Sequence, residues 1–412
     1  MAKIGIDAKL VDGRSGGVQQ FIIGLAQGLS KLTSTDDEYI FFVYRDQAAW
    51  LEPYVAGHCR LYPVGDAPKS PTWKRTLKEL PYLRRMWHWI QSKRKHQFVT
   101  RSDGFIEQLG VDLMHFTTQR AFLTDVPTIY HPWDLQHLHL PQFFSSYEHQ
   151  QREATYQVFC EQAQMVAVAS TWIKQDVIQH YHLSPEKVQV IPMASVLSDY
   201  PKPTPTELAQ MRAKLPQRFI YYPAQTWQHK NHLKLLDALV LLRDEYGLNI
   251  PLVLSGTINT YGRVIQKYIQ KHRLNNQVVL LGYVSVVEVQ ALYQLCDMLV
   301  FPSRFEGWGL PITEAMASGV PIACSNATHL PQLVADAGLV FDPDQADEIA
   351  TAIYQIWTDD TLRHNLRQKA LARSRLFSWE YTASLFHAHY QRILGNTLTP
   401  EMQALLARAP LV

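Results

Sequence analysis

The amino-acid sequence predicts an α/β protein made of two doubly wound domains, each a parallel sheet with helices on both faces. Short apolar runs rich in β-branched and aromatic residues alternate with longer segments of helical periodicity, as in buried parallel sheets. Six such runs in each half of the chain argue for two complete domains. The predicted strands are residues 3–7, 39–44, 112–116, 127–131, 165–170 and 188–192, then 218–224, 251–256, 278–284, 298–303, 321–325 and 338–343.

The domain boundaries follow from these two series of strands. We expect an N-terminal domain at residues 1–197, a linker at 198–217 and a C-terminal domain at 218–378. The linker prediction rests on the stretch SDYPKPTPTE, because Pro-rich sequence between two strand series is typical of a semi-rigid connection. Residues 379–412 contain an amphipathic helix without a further strand, and we expect them to pack back on the N-terminal domain.

Composition and charge exclude several classes of protein. Hydrophobic residues make up 47% of the 412 residues and charged residues 18%, which is a globular composition. Lys and Arg number 39 against 37 Asp and Glu, so no charge excess favours nucleic acid. No apolar run reaches the roughly 18 residues of a spanning helix, and the N-terminus lacks a signal-peptide core. The four scattered cysteines suit a reducing compartment, and we expect a cytoplasmic protein.

Residues 302–325, PSRFEGWGLPITEAMASGVPIACS, carry the strongest functional signal. They follow a predicted strand, at the sheet edge where open α/β sheets bind ligands. The chain then enters a helix whose first amides, at Gly309 and Leu310, would point at an anion. Glu306 on the loop could contact a sugar hydroxyl, and Glu314 in the helix could accept hydrogen bonds from two ribose hydroxyls. On spacing alone, these acids could equally be a solvated loop charge and a helix N-terminal charge.

This segment resembles the donor-site signature of retaining, nucleotide-sugar-dependent glycosyltransferases of family 4, in particular a mannosyltransferase-like subset. The Glu-x7-Glu pair of that family maps onto Glu306 and Glu314. The resemblance continues through HLPQLVADAGLVFDPDQ to FSW at 377–379 and, with features of the first domain, covers nearly the whole chain. It implies the GT-B fold, with two Rossmann-like domains facing each other across a cleft, the nucleotide on the C-terminal one and the acceptor mainly on the N-terminal one.

Lys230 precedes the first helix of the predicted C-terminal domain. An isolated lysine at such a place is usually a solvated surface charge, whereas the resemblance implies that this one pairs with the diphosphate. Many family members carry an Arg a few residues earlier, but Gln225 and Thr226 stand there in this chain. The phosphate site is therefore either one cation short or completed by His229.

Gly16 and Gly17 lie between the first predicted strand and the following helix. Without side chains, they would let the backbone approach a ligand closely, although a Gly-Gly pair is usually just a turn. The resemblance implies that both residues face the donor.

The segment TIYHPWDLQHLHLPQFF at 128–144 follows a strand end. Family members commonly carry His-Asp here, with the His near the reacting carbon of the donor sugar. Aligning Asp134 with that Asp places Trp133 at the His position, and His131 or His137 could replace the missing imidazole. His131, His137 and His139 could instead ligate zinc, but no carboxylate or cysteine pattern accompanies them, and we predict no metal site.

The segment from Lys69 to Arg101 holds ten Lys and Arg residues and one acid, Glu79, interleaved with aromatic residues. It reads as a basic amphipathic helix broken at Pro81. It could be a solvated face, or a surface that meets a lipid-linked anionic acceptor or the inner face of a membrane. Nucleic acid is less favoured because no base-stacking module accompanies the segment.

These observations lead to one main expectation. We expect a retaining hexosyltransferase that moves mannose or glucose from a UDP- or GDP-linked donor to a glycan or lipid-linked acceptor, in surface polysaccharide or glycolipid assembly. The resemblance implies that it needs no metal or cofactor, with Lys230 and the helix amides stabilising the leaving diphosphate and Glu306 positioning the sugar. Alternatives are a GT-B epimerase or phosphorylase, although no pyridoxal-phosphate lysine context is found, and a catalytically silent paralogue that binds nucleotide or acts as a scaffold.

Overall fold

The computed structural model divides the chain into two compact units. The first comprises Met1–Pro192 with Trp379–Pro410, and the second comprises Met193–Ser378 with Leu411–Val412. The predicted basic helix falls almost entirely at 69–97, outside the described residues. The residues that the structure describes are 1–13, 16–33, 35–68, 98–197 and 200–412.

The first unit is built on a parallel sheet of seven described strands in the order β3-β2-β1-β4-β5-β6-β7. The order reverses between β1 and β4, which makes that edge a topological switch point. Six of these strands were predicted; β3 was not, because it is a half-exposed edge strand that contains Arg60. The strands are β1 Lys3–Asp7, β2 Glu38–Val43, β3 Cys59–Pro63, β4 Leu113–Phe116, β5 Thr128–Tyr130, β6 Met165–Val168 and β7 Val188–Val190.

The helices of this region lie between the strands, as in a doubly wound domain. The helices are α1 Gly16–Ser30, α2 Phe105–Gln108, α3 Gln136–His139, α4 Ser146–Gln162 and α5 Thr171–Tyr181. Ser145 begins α4 with a capping box to Glu148, and Ser170 caps α5 through the amide of Ile173.

The second unit repeats the architecture with a described six-stranded parallel sheet in the order β10-β9-β8-β11-β12-β13. All six strands were predicted from their apolar runs, and the α/β fold class is confirmed. The strands are β8 Ile220–Pro223, β9 Leu252–Ser255, β10 Val278–Gly282, β11 Met298–Phe301, β12 Ile322–Ser325 and β13 Gly338–Phe341. The helices are α6 Pro205–Ala213, α7 His232–Asp244, α8 Gly262–Lys271, α9 Val286–Leu295, α10 Leu310–Ala317, α11 Leu330–Val334, α12 Ala346–Thr358 and α13 Asp360–Ser374.

The boundary between the units lies at Pro192/Met193, and residues predicted as the linker 198–217 belong to the second unit where they are described. Helix α6 forms within this stretch, because Thr204 and Glu207 make a capping box and Pro205 occupies the first turn, where it costs no hydrogen bond. Part of the Pro-rich stretch that suggested a linker is therefore a helix start.

The C-terminal segment that was expected to pack on the N-terminal domain belongs to the first unit. It forms helix α14, Trp379–Ile393, and helix α15, Pro400–Ala407. Helix α14 packs closely on α1, where Gly24 makes room for the Trp379 indole and a Cβ on Gly28 would lie 2.7 Å from that of Ala383. None of the described helices combines the length and the apolarity needed to cross a bilayer.

Candidate active site

The switch point of the second sheet brings two functional loops together. Strands β8 and β11 are direct neighbours in this sheet although nearly eighty positions separate them in the chain. The loop after β8 carries Lys230, and the loop after β11 carries Glu306. Because parallel strands end at the same edge, both loops leave the sheet where ligands bind in this class of fold.

Lys230 and Glu306 form an ion pair at this edge, with 2.5 Å between Nζ and Oε1. Their side chains are 19% and 11% exposed, so the pair is partly shielded from solvent. The ammonium also lies 5.6 Å from the centre of the Phe301 ring, at the end of β11. Both charges predicted to serve the donor therefore sit within reach of one ligand in the second unit.

The backbone around Lys230 is held by its neighbours. The buried Tyr222 hydroxyl donates to the carbonyl of Lys230 at 2.7 Å, and burial keeps the pKa of this phenol well above its ordinary value. Asn231 adopts a left-handed conformation, which Asn tolerates better than most residues. Its amide donates to the carbonyls of Pro302 at 3.1 Å and Pro343 at 2.6 Å, which ties together the loops after β8, β11 and β13.

A neutral imidazole lies near the lysine, and the adjoining loop after β11 carries a second cation. Burial, and then the charge of Lys230, lower the pKa of His232 to about 4, so this ring is uncharged and packs on Tyr222. Arg304 follows β11, and its amide donates to the carbonyl of His229 at 2.9 Å. The guanidinium of Arg304 is paired with Asp344 at 2.6 Å. The sequence interpretation considered His229 as the additional cation and overlooked Arg304.

Helix α10 begins at the same edge, directly after a glycine that no other residue could replace easily. Gly309 has φ 101°, and a Cβ there would lie 3.1 Å from a methyl of Leu330. The first amides of a helix have no partner within it, so those at Leu310 and after it face the loop end of the helix. His329 supports the loop by donating from Nε2 to the carbonyl of Trp308 at 2.6 Å, with its pKa lowered to about 4 by burial.

Glu314 lies one turn into α10 and is only 4% exposed. The hydroxyl of Tyr293, from α9, donates to its Oε2 at 2.8 Å and lies 3.2 Å from the carbonyl of Pro311. Burial and the charge of Glu314 hold the pKa of Tyr293 well above its ordinary value, so the phenol keeps the proton that it donates. Tyr293, which no sequence motif singled out, thus orients the predicted ribose-binding carboxylate.

We expect Tyr293→Phe to raise the donor KM by about tenfold with little change in kcat, because a hydrogen bond to a charged group contributes roughly 1.5–3 kcal/mol. Steady-state kinetics with varied donor would measure both constants. Tyr221→Phe is the matched control, since it removes a neighbouring buried hydroxyl that bonds to Ser255 at 2.7 Å instead of to Glu314. An unchanged KM in Tyr293→Phe, or an equal rise in both variants, would refute this positioning role.

The predicted residues of the first unit lie at the corresponding edge of its own sheet. Gly16 and Gly17 are exposed and form the start of α1, which follows β1. Phe21 in the next turn of α1 packs against both His131 and Trp133, with ring centres 5.1 and 5.0 Å apart. The start of α1 and the loop after β5 are therefore adjacent within this unit.

His131 is buried at the end of β5. Its Nε2 lies 2.7 Å from Nε2 of His115 in β4, whose Nδ1 lies 2.7 Å from the hydroxyl of Tyr390 in α14. Burial lowers the pKa of His131 to about 3, so the imidazole is neutral. This hydrogen-bonded chain anchors the loop in the interior of the unit.

Trp133 and Asp134 form the tight turn that follows. Trp133 has φ 66°, which is unusual for a bulky side chain, and its indole donates to the carbonyl of Thr117 at 3.0 Å. Asp134 accepts from the amide of Gln136 at 3.0 Å. His137, considered as a substitute for the missing imidazole, is instead buried against Glu153 at 2.9 Å.

Comparison with protein families matches both halves of the chain. The family described as Glycosyltransferase Family 4 matches residues 15–194, and the family described as Glycosyl transferases group 1 matches residues 204–373. Among solved structures, sucrose-phosphate synthase from Thermosynechococcus elongatus has a TM-score of 0.69 at 19% identity, over 96% of this chain and 100% of that one. HepE of Anabaena, in complex with UDP and glucose, has a TM-score of 0.70 at 19% identity, over 95% and 100%. These likenesses show the GT-B fold.

Curated relatives align with part of the chain. O-antigen chain mannosyltransferase B of Escherichia coli is 33% identical over 223 residues, which cover 53% of this chain and 58% of the relative. The serotype-specific mannosyltransferase WbdA of Escherichia coli is 30% identical over 243 residues, which cover 58% of this chain and 30% of the relative. The chain thus spans less than two thirds of the length of either relative. With glycosyltransferase families matching residues 15–194 and 204–373 and the GT-B fold in place, the chain belongs to the family 4 glycosyltransferases and resembles the two mannosyltransferases over part of its length.

Proposed function

We propose that the protein is a retaining hexosyltransferase that transfers mannose from a UDP- or GDP-linked donor to a hydroxyl of a glycan or lipid-linked acceptor. The observation that carries the proposal is the Lys230–Glu306 ion pair at the switch point of the second sheet, at the same edge as the start of α10. Mannose is favoured over glucose because the similar O-antigen proteins of Escherichia coli are named mannosyltransferases.

The proposed chemistry places positive charge where the leaving group becomes negative. The ammonium of Lys230 and the amides at Gly309 and Leu310 receive the diphosphate, as a helix N-terminus suits a phosphate group. A diphosphate competes with Glu306 for the ammonium, which frees that carboxylate to bind hydroxyls of the sugar. Glu314, oriented by Tyr293, binds the ribose. No metal is required in this scheme, because these groups supply the positive charge.

Retention follows from a front-face displacement. The bond between the anomeric carbon and the diphosphate oxygen breaks, and the acceptor oxygen bonds to the same face of that carbon. The acceptor proton passes to the departing phosphate oxygen, so no carboxylate nucleophile is needed. The barrier is lowered mainly by charge stabilisation and by orientation of the acceptor.

In the first unit, Gly16, Gly17, His131, Trp133 and Asp134 are proposed to contact substrate at the edge of their own sheet. Support comes from the left-handed backbone of Trp133, since such conformations cost about 1–3 kcal/mol and cluster where loops meet ligands. Asp134 is the residue that aligns with the family's acid, and the neutral, anchored His131 stands just before the turn.

The test is to incubate the purified full chain with GDP-mannose, UDP-glucose and related donors, with and without membrane extracts that contain glycan acceptors. Released nucleoside diphosphate measures turnover, and the one-bond coupling between the anomeric carbon and its proton in the product reports stereochemistry. We expect turnover with GDP-mannose and an axial, retained linkage. An inverted product would refute the front-face route, and tight nucleotide binding without turnover on any acceptor would favour a silent paralogue.

A further inference from the structure

A second cluster of ligand-type side chains lies in the first unit, separate from the residues described above. His139 ends α3, and Asp176 and His180 lie in α5. One carboxylate oxygen, Oδ1 of Asp176, lies 2.8 Å from Nε2 of His139 and 3.1 Å from Nδ1 of His180. The three ligand atoms lie within 4.8 Å of one another. A carboxylate thus meets two imidazoles at one point.

The fold explains why these residues converge. Asp176 and His180 are four positions apart in α5, so they share one helix face. Helix α3 follows β5 and α5 follows β6, and these strands are neighbours in the sheet. His139 and Asp176 are 37 positions apart in the chain, so no local spacing of ligand residues in the sequence indicates their contact.

The burial of the three residues is that of a binding site with an open side. Asp176 is 7% exposed, and its second oxygen, Oδ2, is buried without a hydrogen-bond partner in the part of the chain that the structure describes. An unsatisfied buried acceptor costs about 1–3 kcal/mol. The two histidine side chains are 33% and 34% exposed, which leaves an approach from solvent. Within the described residues, the ion pairs of Asp176 are with these two imidazoles.

We propose that His139, Asp176 and His180 bind a divalent transition-metal ion of the kind that imidazole prefers, with Zn²⁺ as the reference ion. Zinc–nitrogen and zinc–oxygen bonds of about 2.0–2.2 Å place tetrahedral ligand atoms roughly 3.3 Å apart, close to the observed separations. The fourth position would hold water. The ion would occupy the place of the protons that bridge the nitrogens and the carboxylate, and each coordinating imidazole would carry its proton on the other ring nitrogen.

Binding requires a modest change at one ligand. Nδ1 of His180 lies 2.9 Å from the backbone carbonyl of Asp176, and it gives up this hydrogen bond when it coordinates. The ion then joins α3 to α5 and fixes the segment that follows the turn at Trp133 and Asp134. Its role is that of a clamp in the first unit, which leaves the charge stabilisation at Lys230 unchanged.

The experiment is calorimetric titration of Zn²⁺ into the full chain, without a histidine tag and after dialysis against a chelator. We expect one site and a Zn²⁺-induced rise in Tm. His139→Gln and His180→Gln should each weaken binding at least about tenfold, since even outer-shell changes around a metal cost that much. Both side chains are partly exposed, so these variants should fold.

His58→Gln is the matched control. His58 is exposed beside β3, at the opposite edge of the same sheet from β7. The His58→Gln variant should bind Zn²⁺ with the same affinity as the unaltered protein. The proposal is overturned if the unaltered protein does not bind Zn²⁺, or if the affinity is the same in His139→Gln, His180→Gln and His58→Gln. Turnover of the donor is not the readout, so failure here is distinguishable from failure of the proposed transferase activity.

Discussion

Lys230→Met is expected to lower kcat by about 10²–10³-fold, the effect of removing one preorganised charge-stabilising donor from an active site. The ammonium lies 2.5 Å from Glu306 at the ends of two central strands, where a departing diphosphate needs it most. Donor affinity should fall less, because the α10 amides and Glu314 remain. Steady-state kinetics with a saturating acceptor would measure the two effects separately.

Lys234→Met provides the control for this variant. Lys234 lies one helical turn further on, in α7, where it pairs with Asp237 at 3.6 Å. It carries the same charge in the same region and should leave kcat within about twofold, because surface ion pairs contribute little. If the kcat of Lys230→Met stays within about threefold of that of the unaltered protein, Lys230 does not contribute to the chemical step.

Glu314→Gln is expected to weaken nucleoside diphosphate binding by about tenfold or more, because charge-assisted hydrogen bonds to the ribose become neutral ones. The glutamine has the same size, and its amide oxygen can still accept from Tyr293. Removal of a buried charge should not lower the free energy of unfolding strongly. Calorimetry with GDP and with UDP would measure the affinity and also identify the preferred base.

Glu245→Gln, an exposed acid at the end of α7, is the control for nonspecific electrostatic effects. It should bind nucleotide with unchanged affinity. If Glu314→Gln binds as tightly as this control, the ribose assignment is wrong and the carboxylate serves the structure of the α9–α10 contact instead.

Much of the fold could be predicted from apolar runs, because central parallel strands are buried on both faces and must be apolar throughout. Strand β3 could not be predicted in this way. It lies at the edge of the sheet and is partly exposed to solvent, so it does not need a continuous run of apolar residues. The start of α6 was readable in principle: the TPTE stretch at Thr204 is a capping box, but three prolines nearby drew the interpretation to a linker.

The sequence predicted which residues belong to the site, but it did not predict which of them contact one another. The Glu306 and Glu314 pair stands where the sequence placed it, at a strand end and in the following helix. The ion pair of Lys230 with Glu306 depends on the adjacency of β8 and β11, which strand order decides and local sequence does not. The contacts of Tyr293 with Glu314 and of Asp176 with His139 likewise depend on which elements the fold brings together, and local sequence does not decide this.

The most direct measurement is a crystal structure of the protein with the nucleoside diphosphate that it binds more tightly. We predict phosphate oxygens at hydrogen-bonding distance, about 3 Å, from Nζ of Lys230 and the amides that begin α10, with both ribose hydroxyls on Glu314. A nucleotide bound away from α10, or one whose diphosphate points away from Lys230, would contradict the proposed site.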